Sequence, residues 1–289
     1  MTAADLPSSA GARWPDLFLV GAAHAGTSLL RGHLCRHPAL FMAEPEEPHF
    51  FSDVRPARRF ERAMPVVHDE ATYLALFAAA RPDQLLGEAS TSYLWSPDAP
   101  GRIAAATPGA CIVILLRDPI ARAWAHHRHD AAEGLERRGF LRAIRDELSR
   151  PARWGVEPVY LGAGFYADAL DRYLAAFGPG RVLVRFAESV VADPRPAARE
   201  LLTWLGLDPE GLPDGPPPAP TPPAPASKTV RGLLAGLRRR DQTVVAPPDA
   251  RSVMDDTIRR LLEEVYASDV ARVSERLGVI PPWSITPGL

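Results

Sequence analysis

The stretch LFLVGAAHAGTSLLRGHLCRHP, residues 17–38, limits the possible folds of this chain more than any other. Its unalternating aliphatic start reads as a buried strand. The Gly21–Gly26 turn then hands over to a helix spanning Thr27 to Arg36, with Leu30 and Leu34 on one face. A strand that passes through glycines into a helix N-terminus offers unpaired N–H groups and positive potential to an anion. The lysine that precedes the hydroxyl residue in nucleotide-hydrolase phosphate loops is replaced by Thr27, and His24 is the turn's only basic side chain. Taken alone, such a turn serves equally well as a plain structural reversal.

The rest of the chain favours an α/β sheet. ACIVILLRD and RVLVRF read as further buried strands. Helical patterns lie between them: EATYLALFAAA, DPIARAWAHHRHDAAEG, FYADALDRYLAAFG with its closing Gly178, and DPRPAARELLTWLGL. This alternation predicts a doubly wound arrangement with a central parallel sheet. The 289 residues fit one domain over 16–289 behind a flexible N-terminus, 1–15. Proline-rich residues 209–226 predict a surface loop or tether in an extended path, with a proline-motif ligand as the alternative. Beyond it, 249–278 has helical spacing and is expected to pack back on the domain. Cys35 and Cys111 lie in apolar runs and read as buried free thiols.

Function classes narrow by exclusion. A net charge of −2 gives no reason to expect nucleic acid or an anionic membrane as partner. The longest aliphatic run, CIVILL, is too short to span a bilayer, and the N-terminus has no secretory pattern, so a cytoplasmic protein is expected. His126, His127 and His129 suggest a metal, but their spacing is expected to scatter them over different helix faces, and no zinc-like set is present.

Several blocks resemble one family in order and spacing. FLVGAAHAGTSLLRGHLCRHPALFMAEPEEPHFF is similar to the start of the sulfotransferases that use 3′-phosphoadenosine 5′-phosphosulfate (PAPS), especially the carbohydrate and heparan-sulfate type and its bacterial relatives. GEASTSYLW, VILLRDPIARAWAHH and the segment from YLGAGFYADAL to WLGLDP resemble its later blocks. The resemblance covers about residues 16 to 209. It implies a P-loop-kinase-like, three-layer α/β fold, PAPS as co-substrate without a metal, and a hydroxyl or amine of a small molecule or sugar as acceptor. Ala25, Gly26, Thr27 and Ser28 match the loop that grips the 5′-phosphosulfate, and Arg117 the arginine of the 3′-phosphate. Lys228 stands where a basic closing loop is expected, and Glu47 matches the general base. His49, Ser90, Ser92 and Tyr93 match the acceptor cleft, although in isolation Ser90, Ser92 and Tyr93 also read as turn and core residues.

Three positions depart from the family pattern. His24 replaces a lysine or arginine, Glu46 replaces a lysine, and Ala125 stands where a serine follows the arginine by eight residues. A lost serine bond to a charged phosphate costs about 1.5–3 kcal/mol, and a carboxylate near a polyanion adds repulsion. A protonated His24 would serve as clamp and general acid; a neutral one would not. The departures keep two alternatives open: a PAPS-independent enzyme acting on a natural-product intermediate through His24 and Glu47, and a non-catalytic binding protein. In isolation, Arg117 also reads as an ion-pair partner of Asp118, and Glu47 as a solvated loop residue.

Overall fold

Residues 13–56, 64, 66–150, 152, 159–215 and 254–283 are described by a computed structural model. Five strands form its centre: β1 (Leu17–Leu19), β2 (Leu40–Met42), β3 (Leu85–Ala89), β4 (Cys111–Leu116) and β5 (Val182–Phe186). All pairings are parallel, in the order β2-β3-β1-β4-β5, with Phe18 of β1 in register with Glu88 on one side and Ile112 on the other. Leu17, Phe18 and Leu19, and Ile112 through Leu116, are essentially sealed from solvent. Burial on both faces is why these strands read as unbroken aliphatic runs.

The sequence reading missed β2 and β3. ALFM is too short to register as a run, and LLGEA is interrupted by a glycine and a carboxylate. Gly87 is required there, because a Cβ on it would lie 2.4 Å from the Met42 sulfur of the adjacent strand.

Crossover handedness sorts the helices. The connection from β1 to β2 through α1 (Thr27–Leu34) runs one way across the sheet, whereas β3 to β4, through α3 (Ser92–Trp95) and α4 (Ala99–Ala106), runs the other. Right-handed crossovers therefore put α1 on one face and α4 on the opposite one. Between β2 and β3 lies α2 (Glu70–Ala75), and β4 leads to β5 through α5 (Pro119–Ala132), α6 (Phe140–Ser149) and α7 (Ala167–Phe177). After β5 come α8 (Ala187–Ala192), α9 (Pro194–Trp204) and α10 (Asp256–Leu277), the helices being numbered among the described residues. Packing agrees: α9 lies against α1, and α7 against both α4 and α10. Neighbouring β1 and β4 send their connections in opposite directions, which opens a crevice at their carboxyl ends, the usual ligand position in such sheets.

Several expectations meet the structure here. α7 closes on Gly178, whose φ of 74° suits glycine. Cys35 is not buried: it follows the inward stripe of Thr27, Leu30, Arg31 and Leu34, turns outward and is exposed, while Cys111 is half-buried; both are free thiols. Arg13 and Trp14, grouped by sequence with the N-terminal tail, are packed: Arg13 donates to the Gln84 carbonyl and Trp14 rests on Phe50, Phe51 and Tyr73. Of the proline-rich stretch, 216–226 lie outside the described residues, as do Lys228 and 249–253.

α10 packs against α7 and α5, and Asp269 is the joint to α7. Its buried carboxylate accepts from the N–H groups of Tyr166 (2.7 Å) and Ala167 (3.2 Å), satisfying donors at the start of α7. Tyr266 reinforces it by donating to the Leu161 carbonyl at 2.8 Å. The exposed Arg272 and Arg276 pairs with Asp168 and Asp171 add little by comparison. Asp269→Ala leaves two buried N–H groups without acceptors and is expected to lower stability by about 1–3 kcal/mol; urea unfolding followed by circular dichroism measures this, and an unchanged midpoint would contradict it.

Candidate active site

The site residues converge at the carboxyl ends of β1 to β4. Gly21, at φ 137°, leaves β1 and Gly26, at φ 89°, delivers the chain into α1; no side chain caps that helix. The first-turn N–H groups of α1 have no carbonyl to reach within the helix. Ala22 N donates to the Leu115 carbonyl, and Leu115 N to the Gly21 carbonyl at 2.7 Å, so β4 fixes the loop's root. From the end of β4, Arg117 donates to the His24 carbonyl at 2.6 Å. It is not the partner of Asp118, which instead caps α5 by accepting from Ile120 N.

Three non-glycine residues have positive φ among the described residues, and all three belong to this site: His24 (60°), Glu47 (63°) and His49 (56°). Such conformations cost about 1–3 kcal/mol each and persist where the surroundings overdetermine them. Glu47 is held at both ends, its N–H donating to the Ala89 carbonyl at 2.9 Å while Oε2 accepts from Thr91 N (2.8 Å) and Thr91 Oγ1 (3.1 Å). It is therefore a braced group rather than a solvated loop residue. Burial pushes its carboxyl up to about 8, against the lowering effect of the Thr91 bonds; neighbouring Glu46 pushes the same way. The side chain still keeps 29 % exposure, so the braced carboxyl opens to the crevice.

Beside it, His49 is buried and its proton can be placed. Ser52 Oγ donates to the His49 carbonyl (2.9 Å) and Ser92 Oγ donates to Ser52 Oγ (3.2 Å). Ser92 Oγ must then accept from His49 Nδ1, 2.8 Å away, which leaves Nε2 as a bare lone pair. Burial lowers His49 to about 4, so the ring is neutral. Ser90 Oγ accepts from His49 N at 3.0 Å. Tyr93 is fully buried, accepting from Phe51 N and donating to Glu88, which makes it a strut behind the cleft and not part of its lining. Glu88 is itself fully buried, and burial holds its carboxyl well above the usual range.

His24 departs from the picture of a charged clamp. Burial, then Arg122, His129 and Arg117, lower it to about 4, so its imidazole is neutral in the free protein. His126 and His129 do not scatter: three residues apart on α5, they share a face and both meet His24, whereas His127 turns aside to the Arg138 carbonyl. No group of three or more His, Cys, Asp or Glu among the described residues has a metal-binding arrangement.

Chemically, the arrangement suits a polyanion at the loop next to a braced carboxyl group. The glycine cradle at Gly26, the uncapped α1 N-terminus, Thr27, and Arg117 are all suited to phosphate oxygens. One contact opposes this: Ser28 Oγ is already engaged, donating to Glu46 Oε1 at 2.7 Å. Sequence reasoning missed Thr91, which lay unremarked inside GEASTSYLW, and Arg122, hidden in a helix whose arginines all look solvated.

A parallel five-stranded sheet with a phosphate-type loop at its switch point is a P-loop-like α/β fold with its crevice suited to an anion. A profile described as "Sulfotransferase family" matches residues 15–211, and the chain belongs to that family. Human heparan sulfate glucosamine 3-O-sulfotransferase 6 is 30% identical over 197 residues, 68% of this chain and 53% of that protein. A mouse bifunctional heparan sulfate N-deacetylase/N-sulfotransferase 4 is 26% identical over 68% of this chain and 22% of its own length. This chain thus spans about half the length, or less, of these curated relatives. Among solved structures, a sulfotransferase from Alicyclobacillus acidocaldarius superposes with a TM-score of 0.74 at 28% identity, covering 92% of this chain and 97% of that one. Mouse SULT7A1 complexed with PAP shares the fold at a TM-score of 0.50 and 15% identity, over 92% of this chain and 89% of that one. No described helix is long and apolar enough to cross a membrane.

The raised Glu47 carboxyl has a consequence for stability. Its folded-state value lies above the ordinary carboxylate value, so the ionised form is disfavoured in the fold, and stability is lost as pH rises from about 4.5 through about 8. Glu47→Gln is expected to match the parent below about pH 4 and to melt higher at pH 9. Equal melting temperatures at both pH values would show that Glu47 ionises without penalty.

Proposed function

We propose that this protein transfers a sulfuryl group from PAPS to a hydroxyl or amine of a small molecule or sugar. The observation that carries this reading is the Glu46–Ser28 contact, which sets the braced Glu47 segment against the uncapped, glycine-led N-terminus of α1; burial raises the Glu47 carboxyl to about 8. A general base works best when poised near the operating pH, and loop amides are suited to charge that develops on a leaving phosphate. Membership of the sulfotransferase family and the heparan sulfate-acting relatives support a sugar-type acceptor.

In this scheme Thr91 and the backbone bond to Ala89 aim Glu47 at the acceptor, whose O–H or N–H proton passes to the Glu47 carboxylate. His49 stands beside Glu47, its Nδ1 held by Ser92 Oγ, and helps to shape the acceptor side of the site. A new S–O or S–N bond forms as the sulfur's bond to the 5′-phosphate oxygen breaks, and the electron pair stays on that oxygen. The N–H groups of Gly26, Thr27 and Ser28 stabilise it, and Arg117 pairs with the nucleotide's second phosphate. Ala125 supplies no hydroxyl there. No metal is needed in this scheme, as positioning and charge neutralisation supply most of the catalysis.

A second reading, a PAPS-independent enzyme on the same fold, draws support from the Glu46 carboxylate on Ser28, which a donor phosphate has to displace. Calorimetry with 3′-phosphoadenosine 5′-phosphate (PAP) separates the two. Micromolar binding is expected, weakened about 10- to 150-fold in Arg117→Ala by loss of a charged hydrogen bond, and tightened in Glu46→Gln. No binding at millimolar PAP would refute the PAPS reading. Transfer is also expected to gain speed as pH rises through about 8, because Glu47 must be ionised to accept a proton. The kcat/KM profile tests that, and a Glu47→Gln variant that turns over normally would remove the base role.

A further inference from the structure

Next to the loop, three imidazoles and two guanidinium groups crowd together, and the scheme above calls on only Arg117 among them. The His24 ring centroid lies 5.0 Å from that of His126 and 5.3 Å from that of His129. Arg122, one turn before His126 on α5, is fully buried and forms no ion pair among the described residues. Its Nη2 donates to the Tyr160 carbonyl, its Nη1 lies 3.5 Å from His126 Nδ1, and its Nε has no partner among the described residues. A guanidinium only donates, so His126 Nδ1 is the unprotonated nitrogen and Nε2 carries the hydrogen. That Nε2 faces Asp130 Oδ2 at 3.6 Å, and Asp130 accepts from the Tyr160 hydroxyl at 2.8 Å.

The groups acting on His24 are Arg117 from the end of β4 and Arg122, His126 and His129 from α5. All are cationic or imidazole. Asp130 and the Tyr160 hydroxyl stand behind His126, with Glu136 next to that hydroxyl at 3.5 Å. His126 is sheltered, while His129 is exposed and gives the cluster a route to solvent.

We propose that His24, His126 and His129 act as one proton-accepting unit that takes up a single proton when the anionic donor arrives at the loop. This rests on the PAPS reading given above. Burial first, and the Arg122 guanidinium after it, keep the His24 and His126 rings neutral while the crevice holds no anion, since desolvation and like charge both disfavour imidazolium. A polyanionic nucleotide reverses the sign of the local field and favours one imidazolium. Rings about 5 Å apart exclude a second, and the proton belongs to the cluster rather than to one residue. His24, on the loop, presents the charge to the phosphosulfate; His126 and His129 are positioning residues that share the proton and hold the ring. The cluster thus creates on demand the cation that a lysine would carry permanently, and donor affinity becomes linked to pH.

Titration calorimetry of the full chain with PAP at pH 8, in buffers of low and high ionisation enthalpy, counts protons directly. Wild-type protein is expected to take up between one half and one proton more than His24→Lys, which brings its own charge; Glu47 and PAP ionisation are common to both and cancel. His129→Gln, an exposed change that leaves His24 and His126 in place, is expected to bind with less than half of that extra uptake. Unfolding curves for each variant establish that it is folded. Intact PAP binding with equal proton counts in wild type and His24→Lys would overturn the cluster while leaving the PAPS reading standing. Unchanged uptake in His129→Gln would exclude sharing. Absence of PAP binding in every buffer would remove the PAPS reading and the cluster with it.

Discussion

The Arg117 guanidinium donates to the His24 carbonyl at 2.6 Å, tying the carboxyl end of β4 to the loop leaving β1. Parallel pairing places these two ends side by side, and the opposed crossovers of β1 and β4 keep helices from covering them. The loop backbone can therefore stay in a conformation that its residues do not favour. His24, Glu47 and His49 are all at positive φ, and each is held by bonds or burial from a neighbouring strand end. Hydrophobic packing of the sheet supplies what this strain costs, since the strands beneath are almost completely sealed.

Electrostatics in the crevice invert the order found in water. Glu47 rises to about 8 while His24 and His49 fall to about 4, so near neutral pH the carboxyl tends to hold its proton and the imidazoles do not. Desolvation leads in every case, acting against whichever form is charged. The guanidinium groups of Arg117 and Arg122 keep permanent charge beside His24, because arginine does not deprotonate in proteins. Neutral imidazole beside fixed guanidinium charge is set to respond to an incoming anion. Groups with pKa values pushed apart in this way are how one fold separates acid from base roles.

Glu46 shows a different kind of adjustment. Where a lysine would attract an anion, its carboxylate accepts from Ser28 Oγ at the mouth of the loop, and Glu44 pairs with Arg31 one turn along α1. Arg31 also donates to the Ala43 carbonyl, so the segment carrying Glu44, Glu46 and Glu47 is anchored to α1. The acidic segment and the phosphate-type loop are thereby held as one unit.

The sequence was informative wherever a local pattern carries the physics. Unbroken aliphatic runs identified β1, β4 and β5, glycine spacing identified the loop, and motif order identified the family. Short or interrupted strands, β2 and β3, escaped because three residues, or a run broken by Gly87 and Glu88, show no periodicity. The site was half legible. Residue identities at 24, 47, 49 and 117 could be read, but protonation, bracing and burial could not. Those depend on groups distant in the chain: Thr91 on Glu47 across 44 residues, Arg117 on His24 across 93. Histidine spacing on α5 suggested dispersal, yet a loop a hundred residues earlier collects two of the rings. Composition and order thus settled which elements form and which chemistry is available. Only the tertiary structure decided which groups carry charge, because desolvation and field are set by neighbours that the chain brings together through space.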